Sequence, residues 1–189
     1  TFSSSWSIMN MQRYSASLYR GLGEAVDYPM NYHVTGSVRL GHSKERLQEF
    51  RRVVGMGRYQ GMDLNILGPD EITSRYPFLE THGLTGALHD PYDGDIDPAQ
   101  LTQALAKGAR DAGAKIYRGT RVTSIERLPS GEWRVHTDKG SIQAESVINA
   151  AGYRGGEVAA MVGEYLPIVT LSHQYLITED IPALAEILD

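Results

Sequence analysis

Three aspartates alternate in Asp93-Gly94-Asp95-Ile96-Asp97-Pro98, and six histidines (His33, His42, His82, His89, His136 and His173) are spread along the chain. Alternating carboxylates open calcium loops, but such a loop needs glycine at its sixth position and glutamate at its twelfth. Pro98 and Ala104 stand there, so no calcium site is expected. No two histidines have the spacing that puts both on one helix face, and no cysteine is present, so no zinc site is expected either. Ser-x-x-Lys and Gly-x-Ser-x-Gly are absent, which leaves a covalent serine mechanism without support. His173 stands in the apolar stretch Leu171-Ser172-His173-Gln174-Tyr175-Leu176-Ile177. By sequence alone, an isolated histidine in such a strand reads as a satisfied core residue.

A different chemistry is written in Val147-Ile148-Asn149-Ala150-Ala151-Gly152. A β-branched run ending in two alanines and a glycine reads as a strand buried on both faces, with Gly155 and Gly156 leading into a helix. Small residues at its end admit another backbone or a ligand, and the unpaired N–H groups of a following helix can receive a phosphate. A plain buried strand turning into a helix reads equally well. The dinucleotide fingerprint is missing: Gly21-Leu22-Gly23 and Gly55-Met56-Gly57 end helices and lack the third glycine. If a dinucleotide binds, its main pyrophosphate loop lies outside this chain.

The elements that must position these residues follow from periodicity. Ile8, Met11, Tyr14, Ser15, Leu18 and Leu22 predict a helix over about 7–26. Residues 36–41 predict a short strand, Ser43 caps a helix over 46–59, residues 64–67 form a strand, and Pro69 opens a helix ending before Pro77. Residues 86–89 form a strand. Asp97 as N-cap, Pro98 at N1 and Gln100 at N3 then write a capping box. The small-residue face of that helix carries Leu101, Leu105, Gly108, Ala109 and Ala112, and Gly113 closes it at C′. Strands are expected at 114–117, 121–125, 132–137 and 142–144, the last two as a hairpin. The Val147 strand comes next, then a helix over 156–162 and a strand over about 168–178.

The 189 residues, 41% of them hydrophobic, suffice for one large domain or two small ones. A net charge of −5 without a basic stripe excludes the electrostatic footprint of a nucleic-acid binder. No apolar run approaches a membrane span, and the serine-rich start is no secretory signal. A soluble protein of the cytoplasm or mitochondrial matrix is expected. Both ends read as cuts through a larger protein.

Taken in order, Asp93 to Pro98, the helix 101–113, Thr120 to Ile125, Gly131-Glu132-Trp133 and Asn149 to Gly152 resemble the FAD-dependent oxidoreductases of the D-amino-acid-oxidase type. Gly163, Leu166-Pro167-Ile168 and His173-Gln174-Tyr175 narrow the resemblance to the dimethylglycine and sarcosine dehydrogenase branch. It is densest from Gly86 to Thr178. It implies an α/β fold of α+β character, part of a split FAD-binding domain with an inserted substrate domain built on a mixed or antiparallel sheet. Residues 1–90 would belong mostly to the substrate domain, 91–165 to the FAD domain with a β-ribbon insertion, and 166–189 to the return. Val122 would hold the adenine end of FAD through backbone groups, and Ala150, Ala151 and Gly152 would pack against the cofactor. His173 corresponds to an active-site histidine that handles the amine proton or seats the carboxylate while a hydride passes from an N-methyl amino acid to flavin. An electron-transfer acceptor or tetrahydrofolate would be reached through other domains. After Gly152 the family usually has an aromatic pair and alanine; here Tyr153 is followed by Arg154, Gly155 and Gly156. The alternatives are a glycine-oxidase-like amino-acid oxidase and a non-catalytic binding module on the same fold.

Overall fold

The structure is a computed structural model that describes residues 3, 5–174 and 176–184. The chain divides into two compact units, Thr1–Lys115 with Asp180–Asp189, and Ile116–Glu179.

In the first unit, α1 (Trp6–Ala25) is followed by β1 (Tyr32–His33), β2 (Ser37–Gly41), α2 (Lys44–Tyr59), β3 (Asn65–Leu67), α3 (Pro69–Arg75), β4 (Gly86–Asp90), β5 (Asp95–Ile96) and α4 (Pro98–Asp111). β4 lies between β2 and β3, antiparallel to both, and β1 pairs antiparallel with β5. The core forms where α2 covers this sheet: Phe50, Val53, Val54, Leu64 and Leu88 pack with Met9 of α1 and Met62. Each completely buried side chain of this kind stabilises the fold by about 1.5–3 kcal/mol. A second cluster, Leu67, Ile72, Leu84 and Ala87, seats α3. The periodicity places α1 correctly but not its buried side. Met9 and Leu22 are buried, while Ile8, Met11, Tyr14 and Leu18 are exposed.

Local signals act as written. Ser43 Oγ accepts the Arg46 N–H at 3.1 Å and starts α2. Asp97 Oδ1 accepts the N–H groups of Ala99 (2.8 Å) and Gln100 (3.2 Å), capping α4. The reciprocal half of the expected capping box is used otherwise: Gln100 Oε1 accepts the Asn31 N–H at 2.7 Å, tying α4 to the approach to β1. α4 ends on Gly113 with φ +89°, where Gly113 N–H donates to Arg110 and Ala114 N–H to Ala109. That is the paired-bond closure a left-handed C′ glycine permits. The small-residue face also does its part, since a Cβ on Gly108 would lie 2.8 Å from Val26 Cγ1.

The second unit is a three-stranded antiparallel meander of β6 (Val122–Arg127), β7 (Trp133–Thr137) and β8 (Gly140–Ala144). A short 3-10 turn, Gly152–Arg154, and α5 (Gly155–Ala160) follow. Three expected strands need correction. Residues 114–117, 147–152 and the described part of 168–178 have no strand partner among the described residues, and Ile148, Val169, Leu171, Leu176 and Ile177 are exposed. Tyr175 lies outside the described residues. The apolar runs have the composition of strands, but a buried strand requires neighbours on its edges and layers on its faces. The described residues supply neither. Every strand pairing described is antiparallel, so the α+β side of the expected class predominates.

Candidate functional site

The segment Val147 to Gly152 is held by its own asparagine. Asn149 Nδ2 donates to the Gly155 carbonyl at 2.8 Å, and its Oδ1 accepts the Ala151 N–H at 3.2 Å. This side-chain-to-backbone turn is the type that asparagine favours, and it brings the chain to Gly152 at φ +57°, a conformation glycine adopts without strain. Nothing stands within 4 Å of where a Cβ on Gly152 would project. Ala150, Ala151 and Gly152 therefore present a solvent-open strip of main chain with side chains no larger than methyl.

Val122 begins β6 opposite Thr137, and the register shifts between Val122 and Ser124. The shift leaves Thr123 as an extra residue in the ladder, so main-chain groups beside Val122 leave the regular pairing. The two segments approach one another. Ile125 of β6, Trp133 of β7, Val147, Asn149 and three residues from α5 and the turn after it enclose a cavity of about 130 Å³. The cavity is not lined by Val122 or by Ala150 to Gly152, whose side chains, no larger than methyl, leave the main chain there open to solvent.

His173 is not brought to this cavity. It lies in an exposed stretch without regular structure and has no hydrogen-bond partner among the described residues, so the buried-strand setting expected for it is absent. The aspartates have local roles. Asp93 accepts from Ser37 Oγ at 2.7 Å, Asp95 pairs with His33 Nδ1 at 3.0 Å, and Asp97 caps α4. Among the described residues no three metal-ligating side chains converge. His136, on the ribbon, is half-buried between Glu126 and Ser141. Asn149 was missed as a positioning residue, although Asn-x-Ala-Gly ahead of a helix is a signal for such a turn. Where the sequence departs from the family after Gly152, Arg154 stacks over Tyr153, 5.4 Å from the ring centre, and pairs with Glu157 at 3.4 Å.

A family model described as FAD dependent oxidoreductase matches residues 2–188. The chain belongs to that family, whose cofactor is FAD. Dimethylglycine dehydrogenase, mitochondrial, of Rattus norvegicus is 36% identical over 168 residues, 89% of this chain and 20% of that protein. Sarcosine dehydrogenase, mitochondrial, of Mus musculus is 32% identical over 168 residues, 86% of this chain and 18% of that protein. Among solved structures, glycine oxidase from Geobacillus kaustophilus superposes with a TM-score of 0.69 at 27% identity, covering 85% of this chain and 44% of that one. The chain thus spans about a fifth of the length of the curated relatives it matches. No helix among the described residues is long and apolar enough to cross a membrane.

Proposed function

We infer that the protein containing this chain oxidises a small N-methylated amino acid, dimethylglycine or sarcosine, with FAD as cofactor. The observation that carries this reading is the 36% identity to dimethylglycine dehydrogenase across 89% of the chain. The solvent-open main chain at Ala150 to Gly152 supports it. When bound, FAD supplies the two-electron acceptor that amine oxidation needs. In this reading main-chain groups at Val122 hold the adenine end, while Ala150, Ala151 and Gly152 let the cofactor lie against the backbone. His173 holds the proton of the substrate ammonium or seats its carboxylate, and an imidazole, whose ring nitrogens donate or accept a hydrogen bond, is suited to either role. Residues 1–90 belong mostly to the substrate domain, 91–165 to the FAD domain and 166–189 to the return. Other domains supply contact with an electron acceptor or tetrahydrofolate, and the mitochondrial relatives support a location in the mitochondrial matrix.

The test is an anaerobic visible spectrum of the full-length protein before and after dimethylglycine or sarcosine is added. A flavin spectrum that bleaches with either amine is the expected result. A flavin that stays oxidised with both, or a colourless protein that takes up no FAD, overturns the reading.

A further inference from the structure

A second site lies in the first unit, on the exposed side of α1. Arg13 Nη1 donates to the Gln60 carbonyl at 2.6 Å, and Arg20 Nη2 donates to the Tyr92 carbonyl at 3.2 Å. Both arginines, with Ser17, Gly61 and Tyr92, line one cavity of about 200 Å³. Among the described residues neither guanidinium has a carboxylate within ion-pairing distance. Each spends a donor on a backbone carbonyl, which fixes its position and leaves further N–H groups in a planar fork. Gln60 caps the C-terminal end of α2, so the helix dipole accounts for part of the Arg13 charge.

Position 17 is four residues after Arg13 and three before Arg20, so its side chain stands between the two on one helix face. A serine there contributes a hydroxyl donor without charge. Gly61, at φ +74°, turns the chain away without placing a side chain in the opening. Two guanidinium groups held by backbone carbonyls, a hydroxyl between them and no ion-paired carboxylate among the described residues form a receptor for an oxyanion, because bidentate guanidinium bonds are strongest to carboxylate and phosphate. We propose that Arg13, Ser17 and Arg20 bind the carboxylate or phosphoryl group of a small molecule.

Isothermal titration of the full-length, FAD-loaded protein at constant ionic strength tests this, with inorganic phosphate and succinate as separate probes. The wild type binds at least one of them; tighter phosphate assigns a phosphoryl ligand, and tighter succinate a carboxylate. Ser17→Glu puts a carboxylate between the two arginines on an exposed helix face, so the fold is kept and the site is filled from within. It weakens binding by at least about tenfold, equivalent to about 1.4 kcal/mol. Arg20→Gln weakens it in the same direction. A wild type that binds neither probe overturns the proposal, as does Ser17→Glu binding both like wild type. Flavin bleaching by amines is independent of either result.

Discussion

At the level of single side chains, Asn149 decides the shape of the turn through Ala150 to Gly152. Its amide satisfies a donor and an acceptor of the turn at once, so Asn149→Ala removes two hydrogen bonds and leaves Gly152 to find its conformation unaided. Net values of about 0.5–1.5 kcal/mol per bond lead us to expect a loss of about 1–2 kcal/mol, read as a lower urea midpoint. Asn149→Asp keeps the acceptor to Ala151 but turns a carboxylate oxygen toward the Gly155 carbonyl, so it is expected to restore no stability relative to Asn149→Ala near neutral pH. Glu126 shows a pH effect of the same local kind. A hydrogen bond from His136 at 3.2 Å, together with Arg134 at 3.1 Å, holds its carboxyl below the usual glutamate range. A depressed folded-state pKa means that the stabilisation is present above the unfolded value and disappears as pH falls through the folded one. Thermal melts of wild type and Glu126→Gln are therefore expected to differ near neutrality and to converge in acid.

At the level of elements, α4 is the best determined by its own residues. Asp97 satisfies two of the orphan N–H groups at its start, and the Gly113 closure satisfies carbonyls at its end. Asp97→Ala is expected to cost about 1 kcal/mol, within the 0.5–2 range for N-caps, while Asp97→Asn retains most of the cap; thermal denaturation distinguishes them. This is why α4 was legible down to its terminal residues. The hairpin β7–β8 was legible for a similar reason. Alternation between Glu132 and Thr137, with turn residues at Asp138-Lys139-Gly140, predicts the hairpin, and the structure extends its second strand back to Gly140, opposite Thr137. By contrast, Val147 to Gly152 and Ile168 to Thr178 have strand composition but no local feature that supplies a partner. Their strand reading failed because a ladder is a non-local object.

For the whole molecule, the net charge of −5 hides an uneven surface. Arg13 and Arg20 share a face of α1, and among the described residues neither forms an ion pair within 4 Å. The second unit exposes a run of large apolar side chains, with Ile148, Tyr165, Val169, Leu171, Leu176 and Ile177 each more than 70% accessible. These residues include the neighbourhood of His173, whose proposed role depends on what meets that surface.

The sequence by itself determined what hydrogen bonds within a few residues can enforce: the caps of α2 and α4, the glycine closure at Gly113, the hairpin turn, and an ordered set of motifs that identified the flavoprotein family. Only the tertiary structure decided what depends on distant partners. Met9, not Ile8 or Met11, is the buried residue at the start of α1, because that side meets Phe50 and Leu64. Gln100 caps a neighbouring segment in place of its own helix because Asn31 lies within reach. Arg13 and Arg20 share one cavity because residues 60–62 and Tyr92 come from far along the chain to form its other wall. Local bonds are set by spacing in sequence, but which faces meet is set by the packing of whole elements, and no single segment carries that information.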